Sequence, residues 1–220
     1  MKTKNLLLCI MTFMLCVIKL NAQNTPDVKM IYPQPTTDEE VLNLLSWQKI
    51  EYYDVMFTGS DLNKKDYYLV SKEIWNSKIK KVDTLLNSAT FNLARVTKDT
   101  LKITLMSGKS SKKELRTSFD FGRFSIDHKY KSLATDDYSM RVYGTQLNIK
   151  YNEPFYAFAY ILPYEKDQAK YYCAVESSGK DIESWGKVFN IKHYILYEMC
   201  FFDGTEEQES QNESFTITTN

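Results

Sequence analysis

The chain has 220 residues and a mass of 25.8 kDa, with 28 basic against 28 acidic side chains, 43% hydrophobic and 25% charged residues. That composition is globular, which excludes a disordered chain or a polytopic membrane protein, and the balanced charge leaves no electrostatic footprint for nucleic acid. Only 7 glycines leave little material for phosphate-cradling loops, whereas 16 Tyr, 12 Phe and 3 Trp make aromatic side chains the one excess.

Residues 1–22 read as a secretory signal peptide: Lys2 and Lys4 form the positive start, Leu6 to Ile18 are apolar except for Thr12, and Ala22 offers a small residue at the cut. The apolar run is shorter than the ~18–20 residues that span a bilayer, so cleavage is expected and no transmembrane span remains. Leu20 is larger than the residue preferred three positions before a cut, which leaves the cleavage position open. A lipoprotein signal fits worse, because Leu8 and Leu15 rather than small residues precede Cys9 and Cys16. Losing Lys2, Lys4 and Lys19 from the 28 basic residues leaves 25 against 28 acidic ones, a net charge of −3. The remaining cysteines, Cys173 and Cys200, are a disulfide candidate in an oxidising compartment, the alternative being two buried thiols that pack as small hydrophobes.

The signal ending Asn21-Ala22-Gln23, with Lys/Tyr-rich alternating strands behind it, resembles small secreted proteins of unknown function from Bacteroidota. The resemblance implies a Gram-negative envelope, periplasmic or extracellular, and carries no activity with it.

Residues 23–36 contain Pro26, Pro33 and Pro35 and read as an extended lead-in to a β-rich domain over 37–203. Thr37 with Glu40 forms a capping box, and Val41, Leu44 and Leu45 then give one short helix an apolar stripe. From Ile50 the period switches to two. Ile50–Thr58 reads as a strand, and Tyr68–Trp75 and Lys78–Leu86 flank the two-residue turn Asn76-Ser77 as a hairpin. That turn predicts Ile74 opposite Ile79, Glu73 opposite Lys80 and Tyr68 opposite Leu85. Leu101–Leu105 and Leu115–Phe119 alternate and answer each other across Gly108 and a Ser/Lys loop. Further strands are expected at Tyr138–Tyr143, Leu147–Tyr151, Lys170–Val175 and His193–Phe202, and Phe155–Leu162, apolar on both faces, belongs in the middle of its sheet. A short helix is expected over Ile182–Phe189 with Asp181 as its cap and Trp185 facing inward. The acidic tail 204–220 reads as disordered, with Phe215–Thr218 as an alternative edge strand. About ten short strands without a βαβ rhythm make the fold mainly β: an antiparallel sandwich or barrel-like domain with one or two short helices.

The chemistry is defined first by what the chain lacks. It has no Gly-x-Ser-x-Gly elbow, no His-Glu-x-x-His, no phosphate loop and no Cys-x-x-Cys. The two histidines, His128 and His193, read as structural. A glycosidase needs two carboxylates at about 5–9 Å with opposed pKa values; Glu153, Glu176 and Glu198 are the acids expected to be partly buried, each with an ordinary structural explanation. Asp61-x-Asn63-x-x-Asp66 lacks the glycine and closing glutamate of a calcium loop, and Asp136-Asp137 suits a plain turn. No cofactor or metal is expected. The aromatic excess suggests a glycan-stacking row drawn from Trp47, Trp75, Tyr67 and Tyr68, with Tyr52, Tyr53 and Trp185 as further members; the competing explanation is that strands favour aromatics and pack them inside. Trp75, at the hairpin turn, is expected to be the exposed one and Trp185 core. The sequence therefore reads as an exported, non-enzymatic binding or structural module whose partner is a glycan or an envelope protein. The alternatives are a small two-carboxylate glycan-active enzyme and a periplasmic inhibitor or immunity-type protein.

Overall fold

Alternating apolar and polar side chains order most of this chain into strands, which a computed structural model describes over residues 27–33, 38–172 and 182–204. In chain order the elements are β1 (Lys29–Ile31), α1 (Glu39–Gln48), β2 (Glu51–Thr58), β3 (Lys65–Trp75), β4 (Lys78–Asn87), β5 (Thr100–Ser111), β6 (Glu114–Asp120), β7 (Ser125–Lys131), β8 (Ser139–Val142), β9 (Phe155–Ile161), β10 (Tyr164–Lys166), β11 (Ala169–Tyr171), α2 (Trp185–Val188) and β12 (His193–Asp203). One antiparallel sheet has the order β1-β2-β5-β6-β7, the other β4-β3-β12-β9-β8, and β10-β11 is a separate hairpin. The architecture is a sandwich, not a closed barrel.

The two five-stranded sheets bury their facing aromatics against each other. Phe57 meets Phe201 at 5.4 Å between ring centroids, and Phe119 meets Tyr197 at 5.1 Å edge to face. Tyr197 Oη donates to Thr117 Oγ1 at 3.2 Å, so the deepest phenol finds its partner on the opposite sheet. β12, the last strand in sequence, lies at the centre of its sheet between β3 and β9. Its outer face is covered by the segment leading into α2, where Tyr194 Oη donates to the Glu183 carbonyl at 2.6 Å and Trp185 packs beside the Tyr194 ring.

Several expectations move. The hairpin turn is at Asn76-Ser77 with both residues at positive φ (47° and 63°), and Ile74 faces Ile79. Beyond that pair the register slips twice: Glu73 faces Lys81 rather than Lys80, and Tyr68 faces Asn87 rather than Leu85. Each slip leaves an extra residue in β4, a bulge that sharpens the twist of this edge. Gly108 is not in a loop but inside β5, opposite Arg116, where a Cβ would stand 3.4 Å from the Lys49 carbonyl; the turn is at Lys112-Lys113. Leu147–Tyr151 forms no strand: only Ile149 makes an isolated bridge, to Val28. Part of the lead-in pairs instead, Met30 opposite Phe57, because Val28 and Met30 bury their side chains in the core. β7 was not evident in the sequence, its Asp127-His128-Lys129 hiding the alternation. The helix cap is Asp38, whose carboxylate accepts from Glu40 N and Val41 N, while Thr37 lies outside the described residues. Residues 1–22, read from the sequence as a signal peptide, Asp181 and residues 205–220 also lie outside them.

Candidate functional site

Local chemistry favours a helix at α1. Asp38 satisfies two free N–H groups of the first turn, Glu39 and Glu40 complement the positive end of the dipole, and Lys49 in left-handed conformation closes the helix through Ser46 O and Leu45 O. What is unusual is where its apolar residues go. No residue of α1 is buried; Trp47 is 83% exposed and Leu44 60%, with Val41 and Leu42 beside them in solvent. The helix is moored at its C-terminal end, where Lys49 Nζ pairs with Asp136 at 2.7 Å. There Ile50 continues the stripe into a shallow groove of about 240 Å³ lined by Met106, Gly108, Lys109 and Arg116.

Beneath this end Glu51 is tied down by Ser139 Oγ and Met140 N, each donating to it at 2.6 Å, and by Ser107 Oγ at 3.3 Å. Burial pushes its carboxyl up, and those hydrogen bonds oppose the shift. Glu51 thus joins β2, β5 and β8 at the base of the exposed helix. The sequence offers no sign of this role beyond an acidic residue at the start of an alternating strand.

On the outer face of the second sheet Lys72 Nζ donates to Tyr156 Oη (2.7 Å), Glu183 Oε1 (2.8 Å) and Glu198 Oε2 (2.9 Å), and Tyr156 Oη donates to Glu183. Burial alone would lower the Lys72 pKa, but the hydrogen bonds to Glu183, Tyr156 and Glu198 outweigh it and hold the ammonium charged. The same bonds from Lys72 and Tyr156 hold Glu183 below the usual carboxylate range. Two carboxylates bridged by one lysine are a clamp between β3, β12 and the segment before α2, and Glu183 is not held as an acid near neutral pH.

The aromatic candidates do not converge. Tyr67 is core, its ring 6.0 Å from Phe201. Tyr68 is half-buried in the lysine clamp, its hydroxyl donating to Glu198 at 3.4 Å. Trp75 is half-buried too, contrary to expectation: its indole stacks on the His193 ring at 3.9 Å and donates to Glu73. Trp185 is core, as expected. Of these candidates Trp47 is the one that stands in solvent. Cys200 is a free, buried thiol, the alternative to a Cys173–Cys200 bond; Cys173 lies outside the described residues, as does Glu176.

His193 is enclosed by Trp75, by Tyr138, whose hydroxyl lies 2.6 Å from Nδ1, and by Glu73, 3.8 Å from Nε2. Burial pushes the imidazole down to about 3, so desolvation outweighs the nearby carboxylate and the ring is neutral. His128 sits half-buried 3.4 Å from Asp83. Asp61 pairs with Lys64 at 2.9 Å, and buried Asp66 accepts from Ser88 Oγ at 2.8 Å, which commits both acids to the protein itself. Among the described residues no group of three His, Cys, Asp or Glu side chains could hold a metal ion, and no helix is long and apolar enough to cross a membrane. Comparison with protein-family models, curated proteins and solved structures found no match.

Proposed function

We propose that this chain is a non-catalytic binding module of an exported envelope or secreted protein, and that it engages a protein partner through the apolar face of α1. The observation that carries this reading is a well-capped helix whose apolar residues, Trp47 foremost, lie in solvent. Exposed apolar surface costs about 25 cal/mol per Å², so a cluster led by a Trp and a Leu that the fold leaves uncovered is what a docking partner covers. Tryptophan anchors dominate protein interfaces, and an amphipathic helix laid in a groove is a recurrent recognition mode. A glycan platform needs neighbouring coplanar rings, and Trp75, Tyr67 and Tyr68 are occupied elsewhere.

The test is site-specific photo-crosslinking in the producing cell. A benzophenone side chain at position 44 is expected to yield one discrete protein adduct, lost in Trp47→Asp and absent when the probe replaces exposed Lys129. Affinity electrophoresis through polysaccharide gels is the counter-test. Retardation that Trp47→Ala abolishes, or a position-44 probe with no discrete adduct, would sink the protein-partner reading.

A further inference from the structure

At the end of β5 remote from α1, the sandwich opens into a cleft of about 310 Å³. Its walls are the connection between β4 and β5 and the turn between β6 and β7; Tyr67 lies in its lining. Among the described residues four cations line it, Arg95, Lys98, Lys102 and Arg123, and no carboxylate does. In a chain whose formal charge is zero, this concentration of one sign is local and does not reflect overall basicity. The Arg123 guanidinium is held by a hydrogen bond from Nη2 to the Arg95 carbonyl at 2.9 Å, which leaves further N–H donors on the same planar group. The apolar part of the lining includes Phe121 and Phe124, stacked at 4.8 Å, beside the aliphatic Leu93, Val96 and Leu101. Tyr67 lies behind this wall of the cleft. It is fully buried 6.2 Å from Phe121, and its hydroxyl has no hydrogen-bond partner among the described residues. Buried hydroxyls are rarely left so, because the missing bond costs about 1–3 kcal/mol.

We propose that this cleft binds a small organic anion, a carboxylate or phosphate monoester carried on an aromatic or aliphatic body. The head group takes the Arg123 and lysine donors, and the body lies on Phe121 and Phe124. The volume suits a ligand of that size. A guanidinium presents two parallel donors to either head group, so the recognition chemistry is shared by both.

Titration calorimetry of the purified protein with phenyl phosphate and phenylacetate tests this, with inorganic phosphate and benzyl alcohol as the two halves of the ligand. At least one aryl anion is expected to bind about tenfold or more tightly than either half and to weaken as salt is raised. The tighter of the two identifies the head group. Lys102→Gln and Arg123→Gln are each expected to weaken binding about three- to tenfold; Lys102 is exposed on β5, so its replacement leaves the fold in place. No binding of either aryl anion, inorganic phosphate binding as tightly as phenyl phosphate, or unchanged affinity in both variants would each overturn the proposal.

Discussion

His193 and Tyr67 are buried polar side chains with opposite consequences. The His193 imidazole is neutral because burial holds it at about 3, against 6.5 for an exposed histidine. The unfolded chain therefore binds a proton below about pH 6.5 that the folded chain refuses until about pH 3. This contribution favours folding at neutral pH and is lost as pH falls through that window. Between pH 7 and pH 5 the wild type is expected to lose about 2 kcal/mol of stability that His193→Gln does not lose, read as the difference in urea midpoints. The Glu73 carboxylate 3.8 Å away would reduce this figure if it stabilised the imidazolium. The Tyr67 hydroxyl has no hydrogen-bond partner among the described residues, so Tyr67→Phe is expected to be neutral or to stabilise by up to about 1 kcal/mol. Its neighbour behaves oppositely. Ser88 Oγ accepts from Tyr67 N and donates to Asp66, each at 2.8 Å, and Ser88→Ala strands both groups at a cost of about 2 kcal/mol.

The β3–β4 hairpin and α1 show how far local rules reach at the scale of an element. Asn76-Ser77 has the length and the left-handed φ values of a type I′ turn, and the sequence marks it correctly through Ile74 and Ile79. Serine is strained at φ 63°, so Ser77→Gly is expected to stabilise the protein by about 1 kcal/mol in thermal unfolding, with β3–β4 pairing unchanged by NMR. The two register slips are invisible in sequence because a bulge preserves the polar-apolar alternation on either side of it. For α1, periodicity depends on neighbours three and four residues away and is legible, while the cap falls on Asp38, one residue after the Thr37 that the sequence suggests. The solvent exposure of its stripe depends on a sheet face that does not reach it. Trp47→Asp and Leu44→Asp are accordingly each expected to shift the unfolding free energy by less than about 0.5 kcal/mol, and Trp47→Asp to abolish the crosslink from position 44.

The whole molecule is held by partners distant in sequence. His193 pairs with Trp75 and Asp203 with Lys65, so β3 waits for the last strand before its sheet can close. Such non-local pairing predicts refolding in milliseconds to seconds, slower than a helical protein of equal stability. Truncation at Asn190 removes the central strand of the second sheet, and that chain is expected to show no cooperative transition by circular dichroism. Phe158→Ala, which empties a site between Phe119 and Tyr197, is expected to cost about 3–5 kcal/mol and leave a single transition.

The sequence by itself determined the β-rich class, the hairpin turn, the capped helix and the inward Trp185, because periodicity, turn chemistry and capping act over a few residues. It also marked Phe155–Leu162 as an inner strand, since a segment apolar on both faces has nowhere else to go. Tertiary structure alone decided that Trp75 lies on His193, that Lys72 gathers Glu183 and Glu198, and that Arg95, Lys98, Lys102 and Arg123 share one cleft. Each of those groupings joins residues from different strands or connections. Their proximity follows from how two sheets stack and where the last strand inserts, a long-range choice that local pattern does not encode.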